Sequence, residues 1–150
     1  MRKLCAAAVL LASSVFAAPN LTGDWKLNLQ KSQYGPLPPP VEVTRKVILD
    51  GGKLWEMTQQ KTAQRDSTSE LRYTTDGKLC INKLSSGEAK GTAHWEGDTL
   101  IIESSQQNGP QELKSREVWT LSADGKTLII QTHLTLPQGG VDVKQVFEKQ

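Results

Sequence analysis

Cysteine is nearly absent: the 150 residues hold two, Cys5 and Cys80, and only Cys80 lies beyond the first seventeen. A single thiol excludes an internal disulfide, so stability has to come from packing and backbone pairing. No long apolar run follows Phe16, which excludes a membrane-spanning helix in the rest of the chain. An excess of one charge is missing too. The 18 Lys and Arg face 16 Asp and Glu, and setting Arg2 and Lys3 aside leaves 16 of each. That balance removes the case for nucleic acid or an anionic membrane surface, both of which call for clustered basic residues. Hydrophobic residues make up 37% of the sequence and aromatics 5%, so the core is expected to be thin or shared with water.

Catalytic and metal signatures are also lacking. No G-x-S-x-G, S-x-x-K or H-E-x-x-H motif occurs, and no catalytic role is expected. His94, His133 and Cys80 match no metal-ligand spacing, so neither a metal nor another cofactor is expected. No segment carries a helical period, and the four prolines of Gly35-Pro36-Leu37-Pro38-Pro39-Pro40 forbid a helix and favour extended geometry, a stiff flap over one end of the molecule.

What is present is a leader and a regular alternation. Residues 1–17 read as a secretory signal: basic Arg2 and Lys3, an apolar run from Leu4 to Ala12, and an A-x-A-like site at Val15-Phe16-Ala17. A secreted or periplasmic location follows as the expectation, with residues 18–150 as one domain and a monomer as the expected state. From Leu21 on, the period is two, interrupted about every ten positions by turn residues such as Asp50-Gly51-Gly52, Asp76-Gly77, Gly97-Asp98, Asn108-Gly109, Asp124-Gly125 and Gly139-Gly140. This predicts strands near residues 22–30, 41–50, 53–61, 67–75, 78–83, 89–96, 99–107, 112–122, 127–136 and 141–149. Ten such strands form an all-β, antiparallel up-and-down meander, and closure into a barrel removes its two raw edges.

Alternation assigns an inner face. Trp25, Leu27 and Leu29 share one side, as do Val41, Val43, Val47 and Leu49, which carry Arg45 with them. Leu113, Trp119 and Leu121 carry Glu117; Val141, Val143 and Phe147 carry Gln145. Arg45 and Glu117 should meet each other or face a water-filled cavity, because an unpaired charge in a dry core costs several kcal/mol. Thr132 joins this polar set, and Trp55, Trp95, Trp119 and Phe147 are the apolar candidates for a ligand wall.

The ends and two of the hairpins carry a resemblance. Leu21-Thr22-Gly23-Asp24-Trp25-Lys26-Leu27 resembles the G-x-W opening strand of the lipocalin and fatty-acid-binding-protein superfamily, and Val146-Phe147-Glu148-Lys149 the V-Y-E-K ending of its fatty-acid-binding branch. Tyr73-Thr74-Thr75-Asp76-Gly77-Lys78 and Trp95-Glu96-Gly97-Asp98-Thr99 are similar to that branch's T-x-D-G-K and W-D-G-x-T hairpins. The whole also resembles small exported lipocalin-like proteins of bacteria. The resemblance implies a lipocalin-like barrel with Trp25 plugging its base. Two departures stand out: Lys31 to Pro40 leaves no room for a helical lid, and the branch's R-x-Y carboxylate clamp is replaced by Gln145 and Phe147. The expectation is an exported barrel that holds a small, largely apolar or amphipathic molecule without chemistry. The alternative is a protein-interaction or inhibitor module of the cell envelope, which would show an exposed apolar patch.

Overall fold

A computed structural model describes residues 17–150. The secretory-signal reading, Ala17 apart, falls on positions outside the described residues. Ten strands run β1 (Gly23–Leu27), β2 (Glu42–Asp50), β3 (Lys53–Lys61), β4 (Asp66–Thr74), β5 (Cys80–Leu84), β6 (Gly87–Glu96), β7 (Thr99–Asn108), β8 (Gln111–Leu121), β9 (Thr127–Leu136) and β10 (Gly139–Lys149). Among the described residues the only helix is a 3-10 turn at Leu29–Lys31, so none is long and apolar enough to cross a membrane.

All ladders are antiparallel between chain neighbours, and β1 pairs with β10 through Trp25↔Lys149, Lys26↔Glu148 and Leu27↔Phe147. The meander therefore curls until its first and last strands meet. The tightest connection shows how the sequence directs this: Gly51 and Gly52, at φ +53° and +78°, form the two-residue loop between β2 and β3. Two successive positive φ values match the right-handed twist of the flanking strands, and glycine reaches them without a steric penalty.

The sheet order β4-β3-β2-β1-β10-β9-β8-β7-β6-β5 leaves one seam, between β4 and β5. A side chain closes it. Asn82 of β5 accepts from the Arg72 N–H at 2.8 Å and donates to the Arg72 carbonyl at 3.0 Å, copying the pair of bonds that a neighbouring strand would make. Just inside the seam the Tyr73 ring lies over Gly91 of β6, where an added Cβ would come within 3.0 Å of the ring and 2.7 Å of the Glu103 carbonyl oxygen. Replacing Asn82 with leucine leaves the Arg72 N–H and carbonyl without their partners. The expected loss is about 1–3 kcal/mol of unfolding free energy, with faster hydrogen exchange at the Arg72 amide. An unchanged urea midpoint would show that the seam does not depend on this bridge.

Two inner-face assignments are corrected. Leu29 is 39% exposed because β1 stops at Leu27, where the Asn28 side chain accepts from Lys31 N–H and caps the 3-10 turn. Val41 is 61% exposed because it precedes β2 and belongs to the flap. The flap itself is pinned on both sides of the barrel mouth. Gln33 exchanges two backbone bonds with Lys144 of β10, at 2.7 and 2.8 Å, and Val41 N–H reaches the Lys61 carbonyl at 2.8 Å.

Up-and-down topology gives the barrel two unlike ends. At one, Leu21, Trp25, Leu54, Leu100, Trp119, Leu128 and Phe147 are packed to near-complete burial. The Trp25 indole N–H donates to the Leu21 carbonyl at 3.1 Å, and the Lys149 ammonium sits 5.5 Å from the ring centre, which fits the base-plug role expected of it. The other end carries the flap and the hairpin tips at 62–65, 85–86, 109–110 and 137–138.

Candidate functional site

Inward side chains lose their burial in the same direction on two adjacent strands. On β8 the sequence is Trp119 buried, then Glu117, Ser115 and Leu113 half-buried; on β9 it is Leu128 and Ile130 buried, then Thr132, Leu134 and Leu136 half-buried. On β10 the order alternates instead: Phe147 and Val143 are buried while Gln145 and Val141 are half-buried. These residues face one another across the ladders, as Ser115↔Leu134↔Val141 shows. The barrel is thus solid at the Trp25 end, and at the flap end solvent reaches a shallow cup along β8 and β9 while Val43, Ala89 and Val143 stay buried.

Trp119 and Phe147 form the floor of the cup. The Arg45 guanidinium lies on both rings, 5.1 and 5.3 Å from their centres, a geometry in which the ring faces attract the cation. Its ion pair is with Glu56, Nη1 to Oε2 at 2.9 Å, and the two side chains are 10% and 4% exposed. Glu117 is therefore not the partner of Arg45. The reason is register: Val47 faces Glu56 on β3, which places Arg45 diagonally beside Glu56 on the inner face, whereas Glu117 reaches the cluster from β8. Glu117 instead accepts from the Trp119 indole N–H at 2.7 Å.

Burial pushes the Glu56 carboxyl up to about 7; Arg45 pulls the other way, and nearby Glu117 adds to the rise. Burial likewise raises the Tyr73 hydroxyl, with Glu56 and Glu117 contributing. The Arg45 Nε–H is sealed from solvent with no acceptor. Just above the floor, Gln145 donates to the Tyr34 hydroxyl at 2.9 Å, and nearer the rim the Ser104 and Ser115 hydroxyls share a hydrogen bond at 2.8 Å. Tyr34 brings the flap over the cup.

Of the candidates from sequence, Arg45, Glu117, Trp119, Gln145 and Phe147 converge here, and Thr132 lies on the same inner wall between Glu117 and Val143. Trp95 packs against the core near the solid end, opposite Leu100. Trp55 departs from the expectation. Because Leu54 and Glu56 face inward, Trp55 faces out, where its indole N–H donates to Glu70 at 2.7 Å. There it lines an outer groove of about 640 Å³ along the β4–β5 seam with Ile48 and Ile81, the latter 57% exposed. Glu56 was missed by sequence reasoning. The signal was its alternation with Leu54, read against the inward Val47 across an obvious two-residue turn. His94 and His133 point outward, as expected, and bond Glu96 and Asp142. Among the described residues no group of three or more His, Cys, Asp or Glu side chains is arranged to hold a metal.

No protein-family model matches the sequence, and no curated protein matches it. Solved structures do. Zebrafish ileal bile acid-binding protein complexed with cholic acid is 16% identical, with a TM-score of 0.57 over 87% of this chain and 98% of that one. Secretory abundant heat soluble protein 4 from Ramazzottius varieornatus is 16% identical, TM-score 0.58, covering 91% and 99%. Human cRBP IV is 13% identical, TM-score 0.55, covering 88% and 99%. With ten antiparallel strands closed between first and last, the chain has the calycin-type barrel fold seen in lipocalins and fatty-acid-binding proteins.

Proposed function

We propose that the protein is an exported binding protein that holds a small amphipathic molecule in its cup, without catalysing a reaction on it. The observation that carries this reading is the burial gradient: inward Leu113, Leu134, Leu136 and Val141 make an apolar wall that solvent still reaches, above a floor of two aromatic rings. Covering such a wall with a ligand's apolar tail gains about 25 cal/mol per Å² removed from water. The polar layer of Arg45, Glu56, Glu117 and Gln145 then orients the head. The bile acid-binding neighbour, which holds cholic acid on the same fold, supports small-molecule binding as the use of the barrel.

A second reading, a protein-docking module, draws on the seam, where Ile48 and Ile81 are 42% and 57% exposed beside Trp55. Native mass spectrometry of protein taken from its own host without delipidation separates the two. A retained small molecule is the expected result; a co-purifying protein with an empty barrel would favour docking at the seam.

A further inference from the structure

We propose that the molecule bound in the cup carries a protonated amine head, and that the site selects against carboxylates. This rests on the reading of the cup as the binding site and names the chemistry of its occupant.

The inner wall at and just above the floor carries one cation against two carboxyl groups. Arg45 from β2 is the cation of this layer. Glu56 from β3 and Glu117 from β8 supply two carboxylates, while Tyr73 from β4, Tyr34 from the flap and Gln145 from β10 are neutral. The single cation is already engaged. One carboxylate takes its Nη1, two aromatic rings cover it, and its Nε is closed off from any entering atom. The surplus carboxylate is Glu117. It is half-buried, at the height where inward side chains first meet solvent, and its bond from the Trp119 indole uses one of the roughly four lone-pair positions a carboxylate offers. An incoming head therefore meets a vacant acceptor with negative charge behind it. Above about pH 7, where Glu56 is ionised, a carboxylate would add a third negative group to a low-dielectric layer that has one cation, and repulsion there is far stronger than in water. An ammonium would close the imbalance with a charge-assisted bond to Glu117.

The test is a calorimetric titration at about pH 8, above the Glu56 titration, with decylamine, decanol and decanoate below their aggregation limits. The expected order is decylammonium tightest, decanol next and decanoate weakest, with at least about a tenfold span between the charged pair. Glu117→Gln should reduce that span to about twofold while leaving decanol affinity in place. Decanoate binding as tightly as decylammonium would overturn the amine assignment and leave the binding role standing. Failure of all three to bind would overturn the binding role itself, and with it the assignment. Should Glu117→Gln fail to fold, the ranking in the unaltered protein decides the matter alone.

Discussion

Arg45→Met is expected to remove about 3–5 kcal/mol of unfolding free energy, measured by urea denaturation at about pH 9, above the Glu56 titration, where the carboxylate is ionised. That is a large part of the roughly 5–15 kcal/mol that holds an ordinary domain together. The loss does not equal the strength of the ion pair. It arises because Glu56, 4% exposed, is left in the core without a counter-charge, beside a second carboxylate at Glu117. The two rings that sandwich the guanidinium also lose their cation. The same reasoning predicts that Arg45→Met combined with Glu56→Leu recovers most of the loss, since apolar groups of similar volume often replace a buried pair at little cost. A single variant within about 1 kcal/mol of the parent would mean that water already solvates this layer, and the dry floor would have to be abandoned.

The second large effect is a stability that falls as pH rises toward neutrality. Glu56 holds its proton in the folded chain up to about pH 7, against an ordinary value of 4.5, because burial outweighs the pull of Arg45. The folded state therefore binds the extra proton between those two values, and stability declines across that window. Its contribution is fully present below about 4.5 and is lost as pH passes through about 7. At about 1.4 kcal/mol for each unit of displacement, the group accounts for about 3 kcal/mol between those limits. Exposed Glu42, Asp76, Asp124 and Glu148 act in the opposite direction. Hydrogen bonds and nearby lysines lower their titrations, so their contributions are present above the ordinary carboxylate range and vanish as pH falls through it. Maximum stability is thus expected on the acidic side of neutrality. Glu56→Gln should flatten the slope between about pH 5 and 8, read from urea midpoints across that range. A slope that survives Glu56→Gln would move the responsible group elsewhere.

The sequence made the barrel legible because alternation and turn chemistry are both local. Asp50-Gly51-Gly52 announces a hairpin wherever it falls, and Leu128, Ile130, Leu134 and Leu136 declare one face by parity alone. The strand at 127–136 matches its predicted span for that reason. What failed depended on cancellation between neighbours. Leu29 fits the period of β1, but the Asn28 cap pulls the chain into a 3-10 turn first. The partner of Arg45 depends on β2–β3 register, which the Gly51-Gly52 turn fixes and which sets Glu56 diagonally beside it. The seam was illegible for a different reason. Whether β4 and β5 pair depends on how far two strands splay when the sheet closes, and a single side-chain amide from Asn82 bridges the resulting gap. The outward position of Trp55 followed from its neighbours Leu54 and Glu56, yet an aromatic reads as core until parity is counted.

The most direct measurement of the account is a map of backbone amide shifts by NMR as decylamine is titrated into the isotopically labelled protein. The largest shifts are expected at Ser115, Glu117, Thr132, Leu134, Val141 and Gln145, with Tyr34 of the flap following. Shifts confined to Ile48, Trp55, Arg72 and Ile81 along the outer seam, with those cup residues unmoved, would contradict it.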